Sequence, residues 1–298
     1  MFYLERGIIP CRETVLGGGL YVELGKKRRM GRVFRSDGRA VIVPMDHAVA
    51  VGSIEGLRDM TSTMGELVKS RADAVLVHIG VARSVDIDGL GLIVHVSGAT
   101  RLTEAPNWKA QVSSVKDAIR IGADAVSVQI NVGSSHEQKM LETFSRIAEK
   151  CNDYGVPLFA MMYPRGPGIK DEHGYEAVGH AVRLGYEIGA DIIQTNYTGD
   201  PESFQRVVHE APVPVVIAGG AKAGSDSELL DITSAAMRAG ASGVSFGRSV
   251  FQHQRPAAMV RALLAVVHDG VDTREAMRIL EGASVRMSPD GERVLART

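Results

Sequence analysis

Four stretches of this chain share one short grammar: Arg71-Ala-Asp-Ala-Val-Leu-Val-His78, Gly122-Ala-Asp-Ala-Val-Ser-Val-Gln129, Gly189-Ala-Asp-Ile-Ile-Gln194 and Gly240-Ala-Ser-Gly-Val-Ser-Phe246. Three of the four open on glycine, the residue that most easily takes the left-handed turn ending a helix. The apolar run that follows is continuous rather than alternating. A strand covered on both faces reads this way, as in a parallel sheet layered with helices.

Working outward, four more apolar runs fall between these stretches, giving eight expected strands at 41–45, 74–79, 91–96, 125–131, 157–162, 191–196, 214–218 and 243–246. Apolar stripes with polar backs predict helices over 53–70, 113–121, 136–154, 172–188, 200–210 and 226–239. Two closing helices are read at 256–268 and 273–280. The link 81–90 is too short for a full helix, so that unit is degenerate.

Strict alternation of eight strands and helices implies an α/β fold, a TIM (β/α)8 barrel with an N-terminal extension. A doubly wound sheet would carry a glycine-rich fingerprint directly after its first strand, and here the first strand runs into Asp46-His47-Ala48 instead. The expected division is an N-terminal extension at 1–40, a catalytic barrel at 41–285 and a polar tail at 286–298.

A formal net charge of −1 offers no global attraction for nucleic acid or membrane. Two cysteines argue against a disulfide framework and a structural zinc site. With no signal-type leader and no apolar run long enough to span a bilayer, a cytoplasmic protein is expected. The local run Lys26, Lys27, Arg28, Arg29, Arg32 and Arg35 has two readings, an anionic-partner patch or a solvated arm at a subunit contact. The absence of an accompanying aromatic platform favours the arm.

Barrels of this kind place their chemistry at the C-terminal strand ends. That rule selects Asp46, His47, His78, His95, Ser97, Asn131, Tyr163, Arg165, Gln194, Asn196, Tyr197, Gly219, Gly220, Lys222, Gly247 and Arg248. Ala218-Gly-Gly-Ala-Lys222 and Ser245-Phe-Gly-Arg248 follow the last two strands, where this fold commonly cradles phosphate. Glycine permits close backbone approach and Arg248 adds a charge-assisted bond. The plain alternative is tight turns with surface cations. Asp46 is a candidate general base and Tyr163 a candidate proton shuttle, against a loop cap and a packing residue. His47, His78 and His95 sit at adjacent strand ends but lack ligand spacing, so neither metal nor cofactor is expected.

These residues resemble the archaeal-type class I aldolases. The matching stretches are Ile42-Val-Pro-Met-Asp-His47, Leu92-Ile-Val-His-Val-Ser97, Met161-Met-Tyr-Pro-Arg-Gly166, Tyr197-Thr-Gly-Asp200, Ala218-Gly-Gly220 and Gly247-Arg-Ser-Val-Phe-Gln-His253. The resemblance implies an acid/base role for Asp46, a proton-donor role for Tyr163, and a substrate phosphate at Gly219, Gly220, Gly247 and Arg248. It also implies a phosphorylated small-molecule substrate and a homo-oligomer.

The family pattern carries a Schiff-base lysine on strand six, and this chain has Gln194 there, in Ile192-Ile193-Gln194-Thr195-Asn196-Tyr197. An amide forms no imine with a ketone. Three readings follow. The protein is an aldolase-like enzyme working without a Schiff base at Gln194, or it uses Lys222 or Lys170 instead, or it is a catalytically silent sugar-phosphate binder. Retention of Asp46 and Tyr163 favours an enzyme.

Overall fold

The computed structural model describes residues 19–219, 224–282, 284–287 and 293–296. Eight parallel strands close into a barrel: β1 Ala40–Pro44, β2 Ala74–His78, β3 Gly91–His95, β4 Ala125–Val132, β5 Leu158–Pro164, β6 Ile192–Thr195, β7 Val215–Ala218 and β8 Gly243–Ser245. Each strand pairs with its neighbours in chain order, and β1 joins β8 through Ala40, Val41 and Ile42 against Gly243, Val244 and Ser245. Closure leaves the barrel sheet itself without an edge strand. The expected TIM barrel is the observed one.

Helix α1 Gly19–Val33 precedes the barrel. Around it run α2 Met60–Ser70, α3 Val115–Arg120, α4 Glu137–Tyr154, α5 Tyr175–Glu187, α6 Pro201–His209, α7 Asp226–Arg238, α8 Pro256–Leu264 and α9 Thr273–Leu280. Ser114, Asp200, Ser225 and Asp272 cap their helices by accepting a backbone N–H from three residues on. Between β2 and β3 there is only the single turn Ile79–Ala82. Helix α2 begins at Met60, later than the apolar stripe predicts. The preceding segment bends through Gly52 and Gly56 at positive φ, and a Cβ on Gly56 would lie 2.0 Å from the Phe251 carbonyl oxygen.

The repeated grammar has a structural meaning. Its first residue takes the left-handed conformation in all four copies, at φ 58° for Arg71, 84° for Gly122, 103° for Gly189 and 97° for Gly240. Its aspartates tie neighbouring strands together. Asp73 accepts the Val41 N–H, Asp124 that of Leu92 and Asp191 that of Leu158, at 2.7, 3.0 and 2.8 Å.

The basic run lies against these same aspartates. Lys26 pairs with Asp191 at 2.8 Å, Arg32 with Asp124 at 2.7 Å, and Arg35 with Asp73. Arg29 donates to the Gly155 carbonyl at 3.0 Å. Lys26, Arg29 and Arg32 thus tie α1 to the base of the barrel and Arg35 ties the link that follows it; Arg32 and Arg35 stay partly exposed and Lys27 and Arg28 exposed, so the arm is solvated along one side and anchored along the other. Met30, Val33 and Phe34 enter the barrel interior and pack with Ile42, Leu76, Ile93, Phe159 and Ile192. A second, larger apolar layer lies between strands and helices. At the C-terminus, Ser284–Met287 pairs antiparallel with Arg293–Ala296, so this end carries strand structure across the point where the polar tail was drawn.

Candidate functional site

Period-two alternation decides which side chains enter the barrel. On β5, Phe159 and Met161 face inward below Tyr163, and on β6 Ile192 lies below Gln194. On β3, Ile93 lies below His95, and on β4 Ala125 lies below Ser127. The barrel interior below the site is thus apolar and the C-terminal mouth polar, as the strand-end rule requires.

His95 is 2% exposed and fixed through both ring nitrogens, Nδ1 at 2.9 Å from the Ser127 hydroxyl and Nε2 at 3.3 Å from that of Ser97. Burial lowers its pKa to about 4, so the ring is neutral near pH 7. His78 meets it edge-on at 5.2 Å and is also held below the usual imidazole range by burial. Asp46 opens the loop after β1, with one carboxylate oxygen 4.0 Å from His95 Nε2 and the other 3.6 Å from His47 Nδ1. Nothing donates from the backbone to cap it, and its side chain keeps 18% exposure. The carboxylate therefore faces the mouth and is not a loop cap.

Across the mouth the Tyr163 hydroxyl accepts from Gln194 Nε2 at 2.8 Å. Burial pushes the phenol well above its ordinary pKa, so it stays protonated. Because its oxygen accepts from the amide, its own proton remains available to a substrate. Gln194 is 3% exposed, and among the described residues its Oε1 has no hydrogen-bond partner. Ser245 Oγ, on inward-facing β8, is likewise buried without one. Buried acceptors in this condition point to a missing donor. Arg165 lies with its guanidinium 5.3 Å from the Tyr163 ring centre and its Nε 3.2 Å from Glu172.

The loops after β7 and β8 divide the expected phosphate residues. Gly219 donates its N–H to the Ser245 carbonyl at 3.1 Å, so this glycine does not present the bare N–H expected of it. Gly220 and Lys222 lie outside the described residues. Gly247 starts the single turn Arg248–Phe251 and packs where a Cβ would lie 2.6 Å from both His47 and the Pro44 carbonyl. Arg248 is exposed at this turn, and its charge acts on His47. Lys170 is exposed as well.

The structure brings Asp46, His78, His95, Ser97, Tyr163, Arg165 and Gln194 to one mouth. It assigns others elsewhere. Asn196 donates to the Glu172 carbonyl and Tyr197 packs on Phe204, while His47 flanks Asp46 at 3.6 Å and packs edge-on to Phe251. Three residues beside the mouth carry no signal that was read from the sequence: Ser127 on His95, Glu172 on Arg165, and Lys109, whose charge acts on His95. Ser127 was detectable from alternation on β4, whereas Glu172 and Lys109 come from connecting segments with no periodic signal. Among the described residues no group of three His, Cys, Asp or Glu is placed to hold a metal ion, and no helix is long and apolar enough to cross a membrane.

Comparison with known proteins adds an independent line. The family model described as DeoC/LacD family aldolase matches residues 40–253. The 2-amino-3,7-dideoxy-D-threo-hept-6-ulosonate synthase of Halobacterium salinarum is 47% identical over 257 residues, covering 86% of this chain and 96% of the relative. The 2-amino-4,5-dihydroxy-6-oxo-7-(phosphonooxy)heptanoate synthase of Streptomyces griseus is 39% identical over 260 residues, covering 86% and 94%. Among solved structures, an archaeal fructose-1,6-bisphosphate aldolase with its catalytic lysine covalently bound to the carbinolamine intermediate has a TM-score of 0.78. It is 29% identical and covers 81% of this chain and 99% of that one.

Proposed function

This chain belongs to the DeoC/LacD family of aldolases, and from that premise we propose that it makes or breaks a carbon–carbon bond in a phosphorylated keto substrate without a Schiff base at Gln194. The observation that carries the proposal is the Gln194–Tyr163 hydrogen bond of 2.8 Å, with a protonated phenol free to donate and a buried amide oxygen lacking a donor.

In the proposed step the substrate ketone takes the place of an imine as electron sink. Tyr163 donates a hydrogen bond to the carbonyl oxygen, and Gln194 Oε1 accepts from an adjacent substrate hydroxyl. Asp46 removes the proton from the neighbouring carbon, and the electron pair moves onto the carbonyl oxygen as an enediolate. That carbon then attacks an aldehyde carbon, the substrate carbonyl re-forms as the electron pair returns, and the aldehyde oxygen takes the proton held by Asp46 as the new bond forms. Donors preorganised around a developing oxyanion supply the main stabilisation in such a site. The neutral His95 beside Asp46 adds no positive charge that would suppress its basicity. Gly247 and Arg248 hold the substrate phosphate. Names of the relatives support this substrate class, since they include a phosphonooxy heptanoate and a fructose bisphosphate. Assembly as a homo-oligomer belongs to the same proposal.

The test is exchange of the carbon-bound protons of dihydroxyacetone phosphate in D2O, followed by NMR, with borohydride trapping in parallel. The expected outcome is exchange in the wild type and a loss of about 100-fold or more in D46N and Y163F. Borohydride should leave the protein mass unchanged. A trapped adduct on Lys222 or Lys170 would restore imine chemistry. Saturable binding with no exchange under any condition would identify a silent binder.

A further inference from the structure

Three pieces of chain meet at the base of the barrel beside the root of α1. The first is the link of residues 34–39 between α1 and β1. It closes on itself, since Arg35 N–H donates to the Arg39 carbonyl at 3.0 Å and Gly38 N–H to the Arg35 carbonyl at 2.9 Å. The second is Asp73, just ahead of β2, which accepts the Val41 N–H. The third is the π turn Ala265–Asp269 at the end of α8, stopped by Gly270 at a φ of 68°. Such turns are rare and occur often at functional positions. This one carries His268 to the junction.

His268 joins all three. Its Nδ1 lies 2.7 Å from Asp37 Oδ2 and its Nε2 lies 2.8 Å from Asp73 Oδ2. The side chain is 7% exposed. An ionised carboxylate only accepts, so the two bonds together require a proton on each ring nitrogen, which is the imidazolium. Burial works against that charge, and the hydrogen bonds to Asp73 and Asp37 outweigh it, so the ring titrates above its ordinary value. Burial likewise opposes the charge on Asp37, and bonds from His268 and the Arg39 N–H hold its carboxyl below the usual range.

The cations nearby leave this balance with the two carboxylates. Arg35 Nε bonds to the other Asp73 oxygen and repels the imidazolium, and Arg39 Nη1 donates to the Val267 carbonyl at 2.8 Å. Arg71 gives its carbonyl to Arg35 at 3.3 Å, and Asp269 follows His268 on an exposed corner. Of the helices packed on the turn, α7 bonds Asp231 to Thr273 at the head of α9, while Arg238, Arg261, Arg274 and Arg278 are exposed. A neutral ring keeps one N–H. Asp73 is 5% exposed, so losing its donor is costly, whereas Asp37 is 35% exposed and turns to water. The remaining proton therefore stays with Asp73, and the Asp37 bond is the one given up.

We propose that His268 is a proton-operated clasp: charged, it fastens the link of residues 34–39, and with it the root of α1, to the base of the barrel, and neutral, it lets that link go. A group that titrates higher when folded stabilises the clasped form in full below pH 6.5 and loses that effect as pH climbs through the folded midpoint. The clasp thus opens on the alkaline side. It lies at the opposite end of the barrel from Asp46, so it stands whether or not the proposed reaction occurs.

The test uses the whole chain and no substrate. NMR of histidine-labelled protein gives the His268 midpoint, its signal assigned by its loss in H268N. Hydrogen exchange read by mass spectrometry from about pH 6 to about pH 9, corrected for intrinsic rates, gives the protection of residues 35–41. We expect a midpoint above 6.5 and a protection that falls with rising pH, about tenfold for each unit by which the midpoint exceeds 6.5. Protection in H268N should not change with pH. In D37N, which leaves the Asp73 strand tie in place, the midpoint should drop and protection should be low throughout. Strand β5, Leu158–Pro164, should keep its protection in every variant. A wild-type midpoint at or below 6.5, a protection in H268N that falls as in the wild type, or a D37N midpoint equal to that of the wild type would each overturn the clasp.

Discussion

At Gln194 one buried side-chain amide donates to a protonated phenol at 2.8 Å, 31 residues away in the chain. A hydrogen bond from a substrate hydroxyl to its Oε1 would contribute about 0.5–1.5 kcal/mol. His95 carries a second residue-level consequence. Its folded pKa of about 4 lies below the ordinary imidazole value of 6.5, so folding favours the neutral ring. The associated stability is present above pH 6.5 and is lost as pH falls towards 4. We expect chemical denaturation at about pH 4.5 and at neutral pH to differ less in H95N than in the wild type, by on the order of 2 kcal/mol. An unchanged difference would remove His95 from the account. The placement of Asp46, Tyr163 and Gln194 at the C-terminal strand ends is legible in the sequence because strand ends can be counted. The Gln194–Tyr163 bond is not, because it joins positions 31 residues apart.

Among the elements, α1 has the most specific seating. Asp124 is 7% exposed and holds both Arg32 and the Leu92 N–H, while Arg32 itself is 63% exposed. D124A should cost about 2 kcal/mol, because it strands a buried donor, and R32A less than about 1 kcal/mol, because an exposed partner is screened. Thermal or urea unfolding of the two variants checks the ranking. Equal losses would mean that the ion pair, and not the strand tie, is what Asp124 contributes. The strands were found within two or three residues because buried β-branched runs are punctuated by left-handed helix ends. The anchoring of the basic run is not legible in the sequence because Asp124 and Asp191, two of its partners, stand 92 and 165 residues away. No local pattern joins such pairs.

Across the whole molecule, polarity changes along the barrel axis from an ion-paired floor through an apolar middle to the polar mouth. Floor and mouth are separated by the layer containing Ile42, Leu76, Ile93 and Phe159. Removing residues 1–33 should lower the thermal midpoint by several degrees, since a few kcal/mol shift a domain of this size by about 2–4 °C each. Calorimetry checks that fall, and titration with dihydroxyacetone phosphate should give an unchanged Kd. A weakened Kd would show that the two ends are coupled. The seating of α1 also bears on biosynthesis. Lys26 leaves the ribosome long before Asp191, which follows 165 residues later. At about 5–20 residues per second, roughly ten to thirty seconds pass before both partners exist. Asp124 is made part-way through that interval and Asp191 only at its end, so the acidic seats of this basic helix become available one at a time, and the earliest of the described helices is among the last to be fully fastened.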